Sequence, residues 1–406
     1  MNDLNADQGK PQGDPASLPL KGKKVIEFCH VVMGPSCGMI LAELGADVIK
    51  VEPAPQGDRT RNLEGHVAGS FVYFNRSKQS IGLNLKTAGG RSVAHRLLKD
   101  ADVLTENFAP GTADRLGIGY DEVSKLNPRL VYCSLKGYLP GPYENYTALD
   151  EVVQYSTGLA YMTGLPDRPL RAGSSVVDIA GGMFGVIGIL SALLQRDETG
   201  FGKHVQSALY ESSAFLVGQH IASEAHTGEI PEPISVRPRS WGIYETFQTG
   251  DGETIFVGIT SDKQWKAFCE MYDRPDLFAD PRFDTNEKRR AAHDELHEII
   301  QKIFLGYDTA PLVEMLVMAG LPAAPVGQPR DLMDNPQMNF ENRMSTTRFA
   351  NGAVAKLPRP GVSFRGVTET TSGQSPNFGE HTNDVLGDLG LSRQEITELR
   401  KAGDIF

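Results

Sequence analysis

Apolar and polar positions follow two rhythms along this chain, and the change falls just past its midpoint. In the first half, short apolar runs are each followed by a stretch with helical spacing. Lys24 to Phe28 (KVIEF) reads as a strand, Gly34 to Leu44 as a helix stopped by Gly45, and Asp47 to Val51 as a second strand closed by Glu52 and Pro53. Strand, helix and strand in so short a span form a βαβ unit with a right-handed crossover. The alternation continues with strands over Ser80 to Leu85, Asp102 to Glu106 and Leu130 to Leu135, and helices over Gly90 to Lys99 and Tyr120 to Leu126. A long amphipathic helix is predicted from Val205 to Ala225, and prolines break the pattern between Thr227 and Arg239.

Beyond that break the pattern is mixed. Tyr244 to Thr249 and Thr254 to Gly258 flank Gly250-Asp251-Gly252 and predict an antiparallel hairpin. Helices are predicted over Lys263 to Tyr272, Asn286 to Phe304 and Ala310 to Ala319, and a second linker over Pro322 to Pro329. Short strands between Met344 and Phe364 and a helix from Asn383 to Leu389 follow. The expected organisation is a flexible polar tail over residues 1–17, a large α/β domain with a parallel sheet over 18–225, a linker and small α+β domain over 226–329, and a C-terminal part over 330–406.

A chain of 406 residues fits two domains. Its net charge of −11 argues against a general nucleic-acid or anionic-membrane binder and leaves room for a local basic pocket. Cys29, Cys37, Cys133 and Cys269 form no C-x-x-C pair and read as reduced thiols of a cytoplasmic protein. The opening residues contain no apolar h-region, so no secretory signal is expected.

One stretch concentrates the chemistry. Asp178 is the only acid between Arg171 and Arg196, and it opens an uncharged run from Ile179 to Leu194. The run falls short of the ~18–20 apolar residues of a membrane span and reads as a buried core helix. Gly181 and Gly185 share one face of it and allow close backbone approach. Asp178 reads either as the helix N-cap or as a reactive carboxylate kept ionised by the helix terminus. The two roles are compatible, since an ionised carboxylate beside apolar walls can attack an activated carbonyl.

Other motifs are weaker. Loops at the C-terminal ends of the parallel strands carry His30, Lys86, Asn107, Arg115 and Lys136, a set suited to a phosphate-bearing ligand. The glycine fingerprint of nicotinamide binding is missing after the first strand, where the chain reads CHVVMGPSCG. His293 and His297 in HDELH lie four apart as in the H-E-x-x-H metalloprotease motif, but Asp294 follows the first His and Glu295 sits one place further on, so no metal is expected.

Several segments together carry a family resemblance: GPSCGMILAELGADVIKVE, NRSKQSIGLNLK, ADVLTENFAPGTADRLG, the Asp178 stretch, DPRFDTNEKR and GEHTNDVLGDLGL. The chain resembles the class III coenzyme A transferases, which include formyl-CoA and carnitine-CoA transferases, from about Leu18 to Leu391. The resemblance implies a Rossmann-like large domain completed by the C-terminal part, a small middle domain, and two chains interlocked as a homodimer. It implies that Asp178 is catalytic and that Val32, Met33, Leu83, Asn84, Leu85, Lys86, Asn107, Phe108, Ala109 and Arg115 hold CoA. It places Glu151 near the reacting acyl group. No cofactor is implied beyond the CoA thioester substrate, and no nucleic-acid or membrane partner.

Formyl-CoA transferases carry a Gln where Val32 stands and a glycine run absent here, whereas the stretches around YENYTALDEVVQ and AYMTGLPDRPLRAGSS resemble the branch handling mesaconyl-CoA and similar C4–C5 dicarboxylates. The expected reaction is CoA transfer between such acids through aspartyl anhydride and thioester intermediates. Arg237 and Arg239, in the linker before the small domain, are candidates for the substrate's free carboxylate, because Arg binds carboxylates bidentately. The oxyanion donors expected are the Gly181 and Gly182 N–H groups. The alternatives are an intramolecular CoA shift between the two carboxyls of mesaconyl-CoA, 2-methylacyl-CoA racemization, and a non-catalytic CoA-binding protein. Racemization lacks its histidine base, since Leu149 stands at that place.

Overall fold

The structure is a computed structural model that describes Asp14 and residues 16–406. The expected tail over residues 1–17 lies almost wholly outside the described residues. The chain forms two compact units, one of the described residues through Ser235 with Pro336–Phe406, the other of Val236–Asn335.

The larger unit is built on β1 (Lys24–Phe28), β2 (Asp47–Pro53), β3 (Gln79–Leu83), β4 (Val103–Glu106), β5 (Val131–Lys136) and β6 (His204–Ala208). All pair in parallel, in the order β3-β2-β1-β4-β5-β6. Intervening helices are α1 (Met33–Glu43), α2 (Ser70–Asn75), α3 (Ala88–Lys99), α4 (Thr112–Arg115), α5 (Tyr120–Leu126), α6 (Asp150–Ser156), α7 (Leu159–Thr163) and α8 (Val176–Thr199). α9 (Leu209–Thr227) follows β6. Strand side chains alternate between the two faces. Ile26, Ile49, Leu104 and Tyr132 enter the core beneath α3 and α5, while Val25, Val48, Val103 and Cys133 enter the core with α1 and α8. The strand order reverses between β1 and β4, which opens a crevice at their C-terminal ends.

Charges support that crevice from below. Lys50 and Lys78 are buried and both pair with Glu27, at 3.4 and 2.8 Å. Lys50 also donates to the Cys29 carbonyl at 2.7 Å, holding the loop that leaves β1. In that loop Val31 has φ +64, a left-handed conformation costly for a β-branched residue.

Four expectations need correction here. The sixth strand was hidden in the predicted helix from Val205, because HVQSA owes its extended form to pairing with β5. α8 has 24 residues and is long and apolar enough to cross a membrane. It is nevertheless a core element on one face only. Gly181, Gly182, Gly185 and Ile189 are buried, whereas Met183, Ile187 and Leu194 on the other face are 51%, 57% and 72% exposed.

The smaller unit pairs β7 (Ile243–Gln248) with β8 (Thr254–Ile259) as the expected hairpin. Its helices are α10 (Asp262–Met271), α11 (Pro275–Ala279), α12 (Asn286–Ala291), α13 (His293–Phe304) and α14 (Thr309–Met318). The predicted helix over Asn286 to Phe304 is thus broken at Ala292, which departs from helical backbone. The fourth correction is that Ala323–Pro325 of the expected linker forms β9, antiparallel to β8. Trp265, Phe268, Phe283 and Phe304 centre its core.

After Pro336 come the hairpin β10 (Met344–Arg348) and β11 (Val354–Pro358), then α15 (Thr382–Asp388) and α16 (Arg393–Lys401). The chain end covers the exposed edge of β3: His381 N donates to Ser80 O, Asn84 N to Asp404 O, and Phe406 N to Gly82 O.

Candidate active site

Asp178 lies in the first turn of α8, not at its cap. Ser175 occupies the cap position and makes no side-chain cap bond. The capping acceptor comes from elsewhere in the chain. Asp150, the first residue of α6 and buried, accepts hydrogen bonds from Val177 N at 2.9 Å and Asp178 N at 3.0 Å. Gln154, one turn further along α6, donates to Asp150 and accepts from Ala172 N at 2.9 Å, which ties down the loop entering α8.

This geometry overturns the expectation that the helix terminus keeps Asp178 ionised. The first N–H groups of α8 serve Asp150. Asp178 is half-buried, and burial, with the nearby charges of Asp150 and Glu151 adding to it, pushes its carboxyl up to about 7. The Met33 N–H at the start of α1 offsets part of this by hydrogen bonding to the carboxylate. At neutral pH the group therefore sits near its midpoint, an anion whose basicity is raised well above that of an ordinary aspartate.

The starts of α1 and α8 approach because α8 has glycines at the contact. A Cβ on Gly181 would lie 2.6 Å from Met33 Cε, and one on Gly182 would lie 2.1 Å from Ser36 Oγ. These glycines are not the oxyanion donors expected from sequence. They are interior helix positions whose N–H groups bond within α8. The donors nearby are in the first turn of α1: the Met33 N–H, which serves the Asp178 carboxylate, and the Gly34 N–H.

The structure gathers the candidate CoA positions on loops at the C-terminal edge of the sheet. Val32 caps α1, and Met33 is buried at its first position. Asn107, just after β4, accepts from His30 N at 3.0 Å and donates to His30 O at 2.8 Å, so one side chain joins the two loops of the crevice. Phe108 is half-buried, Ala109 exposed, and Arg115 exposed on α4 with a bond to Thr112 Oγ1 at 2.6 Å. Leu83 ends β3 as a core side chain; in the loop that follows, Asn84 shapes the turn by accepting from Lys86 N, Leu85 packs partly against the core, and Lys86 is exposed. Arg91, which the sequence reading passed over, supports this loop by donating to Leu85 O and Lys86 O. Lys136 is not a free cation: it donates to Glu106 at 2.7 Å and Phe108 O at 2.8 Å, bracing the NFAPG loop.

Glu151 is exposed and pairs with Arg171 at 3.4 Å, so the acid held against the Asp178 turn is its neighbour Asp150. Within the smaller unit, Arg239 lies 3.6 Å from Glu245, and Arg237 is exposed with no partner among the described residues.

Residues 20–382 match the family described as CoA-transferase family III. An acetyl-CoA:oxalate CoA-transferase from Acetobacter aceti is 36% identical over 341 residues, covering 82% of this chain and 86% of that protein. A succinate–glutarate CoA-transferase from Agrobacterium fabrum is 31% identical, covering 93% and 98%. The crystal structure of a CAIB/BAIF family protein from Brucella suis superposes with a TM-score of 0.81 at 30% identity, over 92% of this chain and all of that one.

Proposed function

We propose that this chain, which belongs to CoA-transferase family III, moves CoA between C4–C5 dicarboxylic acids with Asp178 as covalent nucleophile. The observation that carries the reading is a basic, half-buried carboxylate beside the open N-terminus of α1, at the crevice where the sheet order reverses.

The Asp178 carboxylate attacks the thioester carbonyl of the donor, and the tetrahedral oxyanion collapses by expelling CoA thiolate. The mixed acyl–aspartyl anhydride then accepts the thiolate at the aspartyl carbonyl, which releases the donor carboxylate and leaves an aspartyl thioester. An acceptor carboxylate attacks that thioester, expels the thiolate and forms a second anhydride. Thiolate attack at the new acyl carbonyl gives the product thioester and restores Asp178. Each step exchanges one activated acyl bond for another, so no ATP is consumed. The Met33 and Gly34 N–H groups are the donors best placed to stabilise the oxyanions.

Relatives named for oxalate and for succinate with glutarate bracket the acid's size. Val32 and the absence of a glycine run favour the longer acids. Incubating the enzyme with succinyl-, mesaconyl- and oxalyl-CoA and the free acids, and reading products by mass spectrometry, tests this. Transfer to C4–C5 acids is expected to exceed transfer to oxalate at least tenfold. A mesaconyl-CoA that isomerises with no free acid present would favour an intramolecular shift.

Arg237, which lacks the carboxylate partner that Arg239 has, is our candidate for the free carboxylate of the dicarboxylyl group. Arg237→Ala is expected to raise KM for dicarboxylates about tenfold and leave monocarboxylates unchanged. Equal effects on both classes would remove Arg237 from substrate recognition.

We also propose a homodimer. The outward apolar face of α8 continues onto α9, where Phe215 and Ile221 are 72% and 65% exposed, and a second copy would cover it. Sedimentation at decreasing concentration is expected to show a persistent dimer. Reversible dissociation into folded monomers would contradict interlocked chains.

A further inference from the structure

The smaller unit holds a side-chain cluster that the transfer chemistry leaves unused. His293 and His297 stand one turn apart on α13 and face Glu245 from β7. Their potential ligand atoms all lie within 4.8 Å of one another. His297 Nδ1 is buried without a hydrogen-bond partner, yet lies 3.3 Å from Glu245 Oε2. Two ligands bound at about 2.0–2.1 Å on a tetrahedral Zn²⁺ are separated by about 3.3 Å. That spacing fits two ligands of one ion, while the geometry fails as a hydrogen bond.

His293 adds a second sign. Its Nδ1 lies 2.9 Å from the Asp294 carboxylate, and its Nε2 2.5 Å from Glu245 Oε1. A carboxylate on Nδ1 fixes the proton there and turns the Nε2 lone pair outward, the arrangement that orients metal-ligating histidines. At 2.5 Å, His293 Nε2 and Glu245 Oε1 are held by a shared proton, which a divalent cation can displace as the pair opens to about 3.3 Å. Glu245 and Asp294 supply two negative charges there. Arg239, 3.6 Å from Glu245, is half-exposed and can move aside. Glu245 and His297 are only partly buried, which leaves a solvent side for a water ligand.

We propose that Glu245, His293 and His297 form a structural Zn²⁺ site that staples β7 to α13. It does not match a protease centre, since its carboxylate ligand comes from another element, Asp294 stands where the H-E-x-x-H base would be and Glu295 sits one place further on. The ion would replace the proton shared between His293 and Glu245 and would satisfy His297 Nδ1.

The test uses full-length protein without a histidine tag, stripped with chelator, incubated with Zn²⁺ and passed through gel filtration. One Zn²⁺ per chain is expected by elemental analysis, with the melting temperature raised by about 2–5 °C and restored by EDTA. Co²⁺ should give the intense visible bands of a four-coordinate site. His297→Phe preserves the stack on Phe247 and is expected to weaken Zn²⁺ binding at least tenfold, as is His293→Gln. CoA-transfer activity should be the same in stripped and loaded protein, so this result is independent of the proposed transfer reaction. Substoichiometric Zn²⁺ in the wild type, an octahedral Co²⁺ spectrum, or unchanged retention in both variants would overturn the site and leave the cluster as a hydrogen-bonded ion pair.

Discussion

Asp178→Asn and Asp178→Ala are each expected to lose roughly a thousandfold or more in kcat while remaining folded, because both remove the attacking oxygen anion. The pH dependence makes the assignment specific. Only the carboxylate attacks, so wild-type kcat/KM should rise with pH through an apparent pKa of about 7, the value to which burial and the neighbouring acids push Asp178. Stability should move the other way. A carboxyl whose pKa is higher in the folded chain than in the unfolded one, ordinarily about 3.9, binds its proton more tightly when folded. That contribution is fully present below about pH 4 and is lost as pH rises through about 7. Asn carries no such dependence. Asp178→Asn should therefore melt higher than wild type at pH 8, by on the order of 1–3 kcal/mol, with the gap closing toward pH 4. Calorimetry across this range checks the sign.

The second large effect is expected at Asp150. Asp150→Ala deprives Val177 N, Asp178 N and the Gln154 amide of their shared acceptor. We expect a stability loss of about 1–3 kcal/mol and a kcat reduced roughly a hundredfold, since the turn carrying the nucleophile is no longer held. Asp150→Asn separates charge from structure. It retains an acceptor oxygen but removes the negative charge that helps to raise Asp178, so the rising limb of kcat/KM should shift to lower pH. Asp150 acts through Asp178 and is a positioning residue. A purely structural Asp150 would lower stability in both variants and leave the pH limb in place.

The parallel strands were legible in the sequence where burial on both faces makes them continuous apolar runs, as in Lys24–Phe28 and Val131–Lys136. β6 was not, because its residues are half-exposed and only β5 makes them a strand. The importance of Asp178 was visible from an acid opening an apolar helix. Its raised pKa was not, because the causes lie 27–28 residues away in sequence, at Asp150 and Glu151, and in the burial created by packing against α1. Local capping rules look for the cap within a few residues of the helix start. Here the acceptor comes from another helix, and the one sequence hint was the Asp150 and Gln154 pair one turn apart. The same limit explains why no metal was expected at HDELH: Glu245, which lies against both histidines, is 48 residues away from His293.

Covalent trapping tests the central claim most directly. Enzyme incubated with an acyl-CoA donor and hydroxylamine, then digested, should carry a hydroxamate on the peptide containing Asp178, formed only when both reagents are present. The account predicts stoichiometric modification at Asp178 in step with loss of activity. Continued turnover with that peptide unmodified, or a hydroxamate on Asp150 or Glu151 instead, would contradict it.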